Sequence, residues 1–155
     1  LQLVCESASR LDFSMIDARE GDACTFDSGE LYDGVLIDVP CMGTEVFSKR
    51  PDMKWSRNES DIPRLNIIQS NMLEHASTLV KPGGRIVYST CSLEPEENSE
   101  RIADFLKRHN DFALDWNPRY EEYKTGYGYL IHPHRMHGAG AFASRIKRVC
   151  HVEAA

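Results

Sequence analysis

Residues 64–95 read RLNIIQSNMLEHASTLVKPGGRIVYSTCSLEP, and their patterning decides the architecture. Leu65, Ile68, Met72, Ala76 and Leu79 recur at the interval of one helix face. Lys81-Pro82-Gly83-Gly84 ends that period, because proline lacks the amide hydrogen a helix needs and paired glycines favour a turn. Gly84-Arg-Ile-Val-Tyr-Ser-Thr-Cys91 then reads as a buried strand, and Pro95 opens a second helix expected to reach about residue 108. In that helix Ile102, Phe105, Leu106 and His109 form a narrow inner face. Glu96, Glu97 and Glu100 gather near its start, where the helix dipole favours negative charge.

Working outward, residues 32–40 (YDGVLIDVP) are a short aliphatic run ending in an acid and a proline, which predicts another buried strand. Residues 1–10 read as a helix and residues 15–17 as a short strand. Beyond the central stretch come a short strand at 112–116, a Tyr/Gly-rich loop at 120–128 and a last alternating strand at 141–149. Strand, helix, strand, helix in this order predicts an α/β fold, a parallel sheet with right-handed crossovers and helices on both faces. The chain opens on Leu1, inside a predicted helix, so an upstream segment is expected. The 155 residues are read as part of one domain.

Composition narrows the function classes. The hydrophobic share of 41% and charged share of 27% are those of a folding chain, not a disordered one. No apolar run approaches the length of a membrane span, so no membrane role is expected. A net charge of -6 argues against gripping nucleic acid with the whole surface, so any such contact is local. The five cysteines are odd in number and dispersed, without C-x-x-C pairs, which fits a reducing, intracellular compartment: cytoplasm, nucleus or organelle. A monomer is expected.

Chemistry is expected at the carboxyl ends of the strands, where open α/β sheets bind their ligands. Asp38-Val39-Pro40-Cys41 closes one strand and Ser89-Thr90-Cys91-Ser92 the other. Asp38, Cys41 and Cys91 should therefore converge, although the two cysteines lie 91 - 41 = 50 residues apart. The plain alternative is that both thiols are small buried hydrophobes, the usual fate of a free cysteine.

Asp38-Val-Pro-Cys41-Met-Gly-Thr44, Lys54-Trp55, Leu79-Val-Lys-Pro-Gly-Gly84 and Tyr88-Ser-Thr-Cys-Ser-Leu-Glu-Pro-Glu-Glu-Asn98 together resemble the Nol/Nop/Sun family of RNA cytosine-5 methyltransferases. DNA cytosine methyltransferases share a proline-cysteine but not the second, serine-threonine-cysteine element. The resemblance implies a Rossmann-like class I methyltransferase sheet, here without its first two strands, which leaves the strand at 35–38 with an unpaired edge. It implies S-adenosylmethionine as cofactor and RNA as partner, ribosomal RNA in preference to transfer RNA. It gives the nucleophile's part to Cys91 and the release part to Cys41. Such chemistry needs two groups: a thiolate must add to carbon 6 of cytosine before carbon 5 can take a methyl group, and the carbon 5 proton must then leave. The resemblance also assigns Asp38 to the cofactor's methionine end, with the cytosine edge as the alternative, and Asp22 to the adenine. Gly21-Asp22 is otherwise an ordinary turn dipeptide.

Residues 49–57 (KRPDMKWSR) form the most basic stretch, with Lys49, Arg50, Lys54 and Arg57 as candidate RNA contacts and Trp55 as either a stacking platform or a core plug. His132, His134 and His137 have a spacing that invites a metal reading, but no acid or thiol lies nearby in sequence and the chemistry requires none, so no metal is expected. Departures from the family are plain. A glycine-rich cofactor loop and the acid that holds the ribose are not among these residues, and Gly138-Ala-Gly-Ala-Phe142 stands where the family has a D-G-F-F-type strand. Two other readings follow: a catalytically incompetent RNA-binding or scaffolding fragment, and a thiol hydrolase using Cys91 with a histidine, for which no histidine is placed by the sequence.

Overall fold

The computed structural model describes residues 1–47, 49–136 and 138–150. Its elements run α1 (Gln2–Arg10), β1 (Tyr32–Asp38), α2 (Met53–Ser56), α3 (Ile62–Leu79), β2 (Val80–Thr90), α4 (Ser99–Arg108), β3 (Phe112–Leu114), β4 (Tyr129–Ile131), α5 (Pro133–Met136) and β5 (Ala141–Arg148). The sheet order is β1-β2-β5-β3, with β4 also on β5. β1 and β2 pair in parallel, Ile37 against Tyr88 and Asp38 against Ser89. β5 runs antiparallel to β2, β3 and β4, so the sheet is mixed and not parallel throughout. Once the β-α-β alternation ends at α4, the remaining strands are joined by loops, and nothing obliges them to cross over.

Side-chain alternation sends Ile37 of β1, Ile86 and Tyr88 of β2, and Phe142 and Ile146 of β5 to one face. There they meet Met72, Leu73 and Ala76 of α3 and Ile102 and Phe105 of α4. Burying each of the larger side chains contributes about 1.5–3 kcal/mol. The Tyr88 hydroxyl is satisfied within this core, donating to the Glu97 carbonyl at 2.6 Å. Glu74 of α3 pins α4 by accepting from His109 Nε2 at 2.7 Å and by pairing with Arg108. The opposite face is more open. A 3-10 segment, Pro118–Tyr123, bends over Val87 and Tyr129 around a cavity of about 310 Å³. Leu36, the register partner of Val87, is 71% exposed.

The structure departs from the sequence reading in several places. Lys81-Pro82-Gly83-Gly84 does not separate helix from strand but lies inside β2 as an irregularity of the ladder, between the pairs Tyr32–Val80 and Gly34–Arg85. Gly83 adopts φ +81°, and a Cβ on Gly84 would stand 2.9 Å from the Asp33 carbonyl, so the chain can bulge there only with glycine. α4 begins at Ser99 and not at Pro95, because residues 94–98 form turns that aim Glu97 and Asn98 inward. The strand expected at 15–17 is irregular. β1 is a terminal strand, and a ladder needs a neighbour to bond. The short strand β4 and the helix α5 lie between the loop at 120–128 and the last strand, where the sequence pattern predicts no element. Among the described residues no helix is long and apolar enough to cross a membrane.

Candidate active site

Parallel pairing puts the carboxyl ends of β1 and β2 at one edge of the sheet. The Val39 amide still donates to the Ser89 carbonyl at 3.1 Å as both chains leave the ladder. Cys41 and Cys91 then meet, Sγ to Sγ, at 3.2 Å, and the Cys91 amide points at the Cys41 sulfur at 3.3 Å. Cys41 is only 6% exposed, whereas Cys91 is half-buried, so the pair has one interior and one open sulfur. Asp38 stands exposed beside them, its Oδ1 accepting from the Ser89 hydroxyl at 2.8 Å.

A set of buried polar groups holds both cysteine turns. Gly43, at φ +72°, reverses the chain after Cys41. The Met42 amide donates to both carboxylate oxygens of Glu97, at 3.1 and 3.0 Å. Gln69 of α3 donates through Nε2 to the Pro40 carbonyl and to Glu97 Oε1, each at 2.9 Å. On the other turn, Thr90 donates to Asn98 Oδ1 at 2.5 Å, and Asn98 Nδ2 donates to the Ser92 carbonyl at 2.7 Å. Thr44 Oγ1 accepts from the Leu93 amide at 2.7 Å, and the Glu45 amide donates to the Cys91 carbonyl at 3.1 Å, which ties the turns together. The bonds to Glu97 and Asn98 join groups removed from water, where leaving a donor unpaired is costly, whereas the Leu93–Thr44 bond lies at the surface.

The thiols are electrically unequal. The hydrogen bond from Cys41 draws the Cys91 thiol down to about 7, although burial and the charges of Asp38 and Glu97 oppose the shift. The same contact, with burial, pushes Cys41 well above the ordinary thiol range. The contact thus eases loss of the first proton from the pair and favours the more accessible sulfur, Cys91, as the thiolate.

The remaining candidates are dispersed. Asp22 caps its own turn, its Oδ1 accepting from the Cys24 amide at 2.8 Å, while its neighbours Gly21 and Ala23 line a cleft of about 660 Å³ with Tyr32 and Ile37. Lys49, Arg50 and Lys54 are exposed and Arg57 is half-buried. Arg50 already pairs with Asp52 at 3.2 Å, and Lys54 lies 6.0 Å from the Trp55 ring centre. Trp55 is 86% exposed, so it does not plug the core. The His132 and His134 rings stack at 5.3 Å, while His137 lies outside the described residues. Among the described residues no three potential metal ligands converge.

Sequence reasoning overlooked three of the site's supporting acids and amides. The sequence places Glu97 among the acids at a helix start, but it faces inward and holds the Cys41 turn. Its position in the Pro95-Glu-Glu-Asn98 motif was a usable signal, since a helix that starts late leaves its preceding acids free to point elsewhere. Gln69 sits at an ordinary helix position, and only its packing reveals its role. Glu45 is 1% exposed, neither carboxyl oxygen has a hydrogen-bond partner among the described residues, His132 Nδ1 stands 3.9 Å from its Oε1, and burial raises its pKa.

The chain is also similar to known proteins. A relative from Shewanella oneidensis, ribosomal RNA small subunit methyltransferase B, is 34% identical over 154 residues, covering 97% of this chain and 36% of its own. The protein of that name from Yersinia enterocolitica is 42% identical over 117 residues, 74% of this chain and 27% of its own. The chain thus spans about a quarter to a third of the curated relatives it matches. Among solved structures, NSun6 from Pyrococcus horikoshii, crystallised with an S-adenosylmethionine analogue, superposes with a TM-score of 0.79 at 24% identity, over 94% of this chain and 38% of its own. That likeness shows the Rossmann-like fold. A sequence profile described as 16S rRNA methyltransferase RsmB/F matches residues 1–147, and the chain belongs to that family.

Proposed function

We propose that the protein of which these residues form the catalytic centre is an S-adenosylmethionine-dependent RNA cytosine-5 methyltransferase acting through a covalent cysteine adduct. The observation that carries the reading is the unequal thiol pair, 3.2 Å apart at the carboxyl ends of adjacent parallel strands. In this reading Cys91, as thiolate, adds to carbon 6 of a cytosine and makes carbon 5 nucleophilic. Cys41, which keeps its proton, is placed to serve the later stage, when the carbon 5 proton leaves and the Cys91–carbon 6 bond breaks. The names of the relatives favour ribosomal RNA as substrate.

Two features support the cofactor reading. The cleft beside Asp22 is of the size and mixed lining of a small-molecule site, and Asp38 offers an exposed carboxylate at the strand end nearest the sulfurs. Asp22 would accept from the adenine and Asp38 would hold the cationic methionine end, while the bound cofactor supplies an electrophilic methyl group. Lys49, Arg50, Lys54 and Arg57, with the exposed Trp55, would meet RNA phosphates and a base.

The parent protein and its cysteine variants test the roles on a denaturing gel with RNA substrate and cofactor. Cys41→Ala accumulates a covalent RNA adduct and Cys91→Ala forms none; adduct from the Cys91 variant reverses the assignment. A second reading applies to the 155 residues alone. β1 is a terminal strand with Leu36 71% exposed, and the glycine-rich loop is not in this sequence, so the isolated chain is proposed to bind cofactor weakly and not to turn over. Calorimetry on the isolated chain showing tight stoichiometric binding would sink that view.

A further inference from the structure

We propose that Cys91 and Cys41 form a peroxide-sensitive modification site, in which Cys91 is oxidised first and Cys41 resolves it to an intramolecular disulfide. The inference rests on the placement of the sulfurs and not on the methylation reading, so either can fail without the other.

Distance is the first argument. The sulfurs stand 3.2 Å apart, and a disulfide bond is about 2.05 Å, so closure asks for roughly 1.2 Å of approach. Each cysteine lies just beyond the end of its strand, Cys41 after Asp38 and Cys91 after Thr90, so the movement falls on turns and leaves the ladder intact. Access is the second. The half-buried Cys91 can meet a small oxidant, while the buried Cys41 is shielded from it but lies against its partner. Protonation agrees with this order, since the Cys41 hydrogen bond favours thiolate on the Cys91 sulfur and the thiolate is the form that peroxide attacks.

The atoms balance. The Cys91 thiolate attacks one peroxide oxygen and the O–O bond breaks. The departing hydroxide takes a proton to become water, leaving a sulfenic acid. The Cys41 sulfur then attacks the Cys91 sulfur, and the S–O bond breaks. Hydroxide leaves with the Cys41 proton as a second water. Two thiols lose two electrons and hydrogen peroxide gains them. The neighbouring thiol also protects Cys91 from further oxidation, because a sulfenic acid that is resolved at once does not proceed to sulfinic acid. The product has neither a nucleophile nor a thiol donor, and a dithiol reductant restores both.

Cys5 and Cys150 are exposed, so the test uses the chain carrying Cys5→Ser and Cys150→Ser. The protein is treated with a small excess of hydrogen peroxide, alkylated, and analysed by intact mass and peptide mapping. The expected product has lost two hydrogens and two alkylatable thiols, yields a linked Cys41–Cys91 peptide, and reverts with dithiothreitol. In addition, Cys41→Ser stops at a sulfenic acid trapped by dimedone and then gains a second oxygen. Cys91→Ser reacts on the order of a hundredfold more slowly, because of the two remaining thiols Cys41 is buried and burial holds Cys24 above the ordinary thiol range. The proposal is overturned if Cys91 gains two oxygens while Cys41 stays alkylatable, if the linked peptide contains Cys24, or if Cys41→Ser leaves the product unchanged. The first two outcomes are read on the chain with both native site cysteines, so they stand even where a site variant folds poorly.

Discussion

Removing the Glu97 carboxylate provides the sharpest test of how the site is held. Glu97 is fully buried and accepts from two donors, the Met42 amide and one amide hydrogen of Gln69. Glu97→Ala leaves both without that acceptor, at about 1–3 kcal/mol for each buried unpaired group, partly offset because a buried carboxylate no longer has to be desolvated. A net loss of about 2–4 kcal/mol is expected, a large part of the roughly 5–15 kcal/mol that a domain commonly has. With a urea slope of about 2 kcal/mol per molar, the unfolding midpoint falls by about 1–2 M. Glu97→Gln keeps one acceptor oxygen and costs about 1–2 kcal/mol. Because Met42 follows Cys41 directly, the alanine variant that remains folded also loosens the Cys41 turn. An alanine midpoint within about 0.3 M of the parent, at unchanged slope, refutes the claim that this carboxylate organises the turn.

Other expectations follow from the same contacts. Cys41→Ala removes the hydrogen bond that draws Cys91 down to about 7, so the pH midpoint of Cys91 alkylation rises toward the ordinary thiol value of about 8.5; an unmoved midpoint removes Cys41 from the argument. Glu45 has its pKa raised by burial, with the charge of His134 opposing. The folded state therefore holds this proton more tightly than the unfolded chain, and the resulting stability is present below the ordinary value of 4.5 and lost as pH rises through the folded pKa. Glu45→Gln should flatten the decline in urea stability above that pH, and parallel curves for parent and variant would contradict this. Gly140→Ala drives a Cβ into the Glu45 carboxyl and to 2.5 Å from the Ile131 carbonyl, and should cost about 1–3 kcal/mol by thermal unfolding. Adding Glu45→Ala recovers only part of that loss, because the Ile131 backbone remains; full recovery would show that the carbonyl can yield.

Periodicity along the chain sufficed for α3, β1 and β2, because helix faces and buried strands repeat over a few residues and their stop signals are local. It also sufficed to bring Cys41 and Cys91 together: two parallel strands ending in cysteines must present them at one edge, and the sulfurs lie 3.2 Å apart. Which sulfur is open to solvent and which carries the proton was not legible, since both properties come from the packing around the turns and from the thiol–thiol contact itself. The same limit hid the inward aim of Glu97, the bulge at Gly83 and the exposure of Trp55. Each depends on a partner, or on the lack of one, tens of residues away, and local pattern carries no information about such a neighbour. The residue types and their order thus settled the α/β frame and the meeting of the two cysteines. Burial, hydrogen-bond partners and the unequal protonation of that pair came only with the folded chain, because desolvation and long-range contact exist only once distant segments have packed.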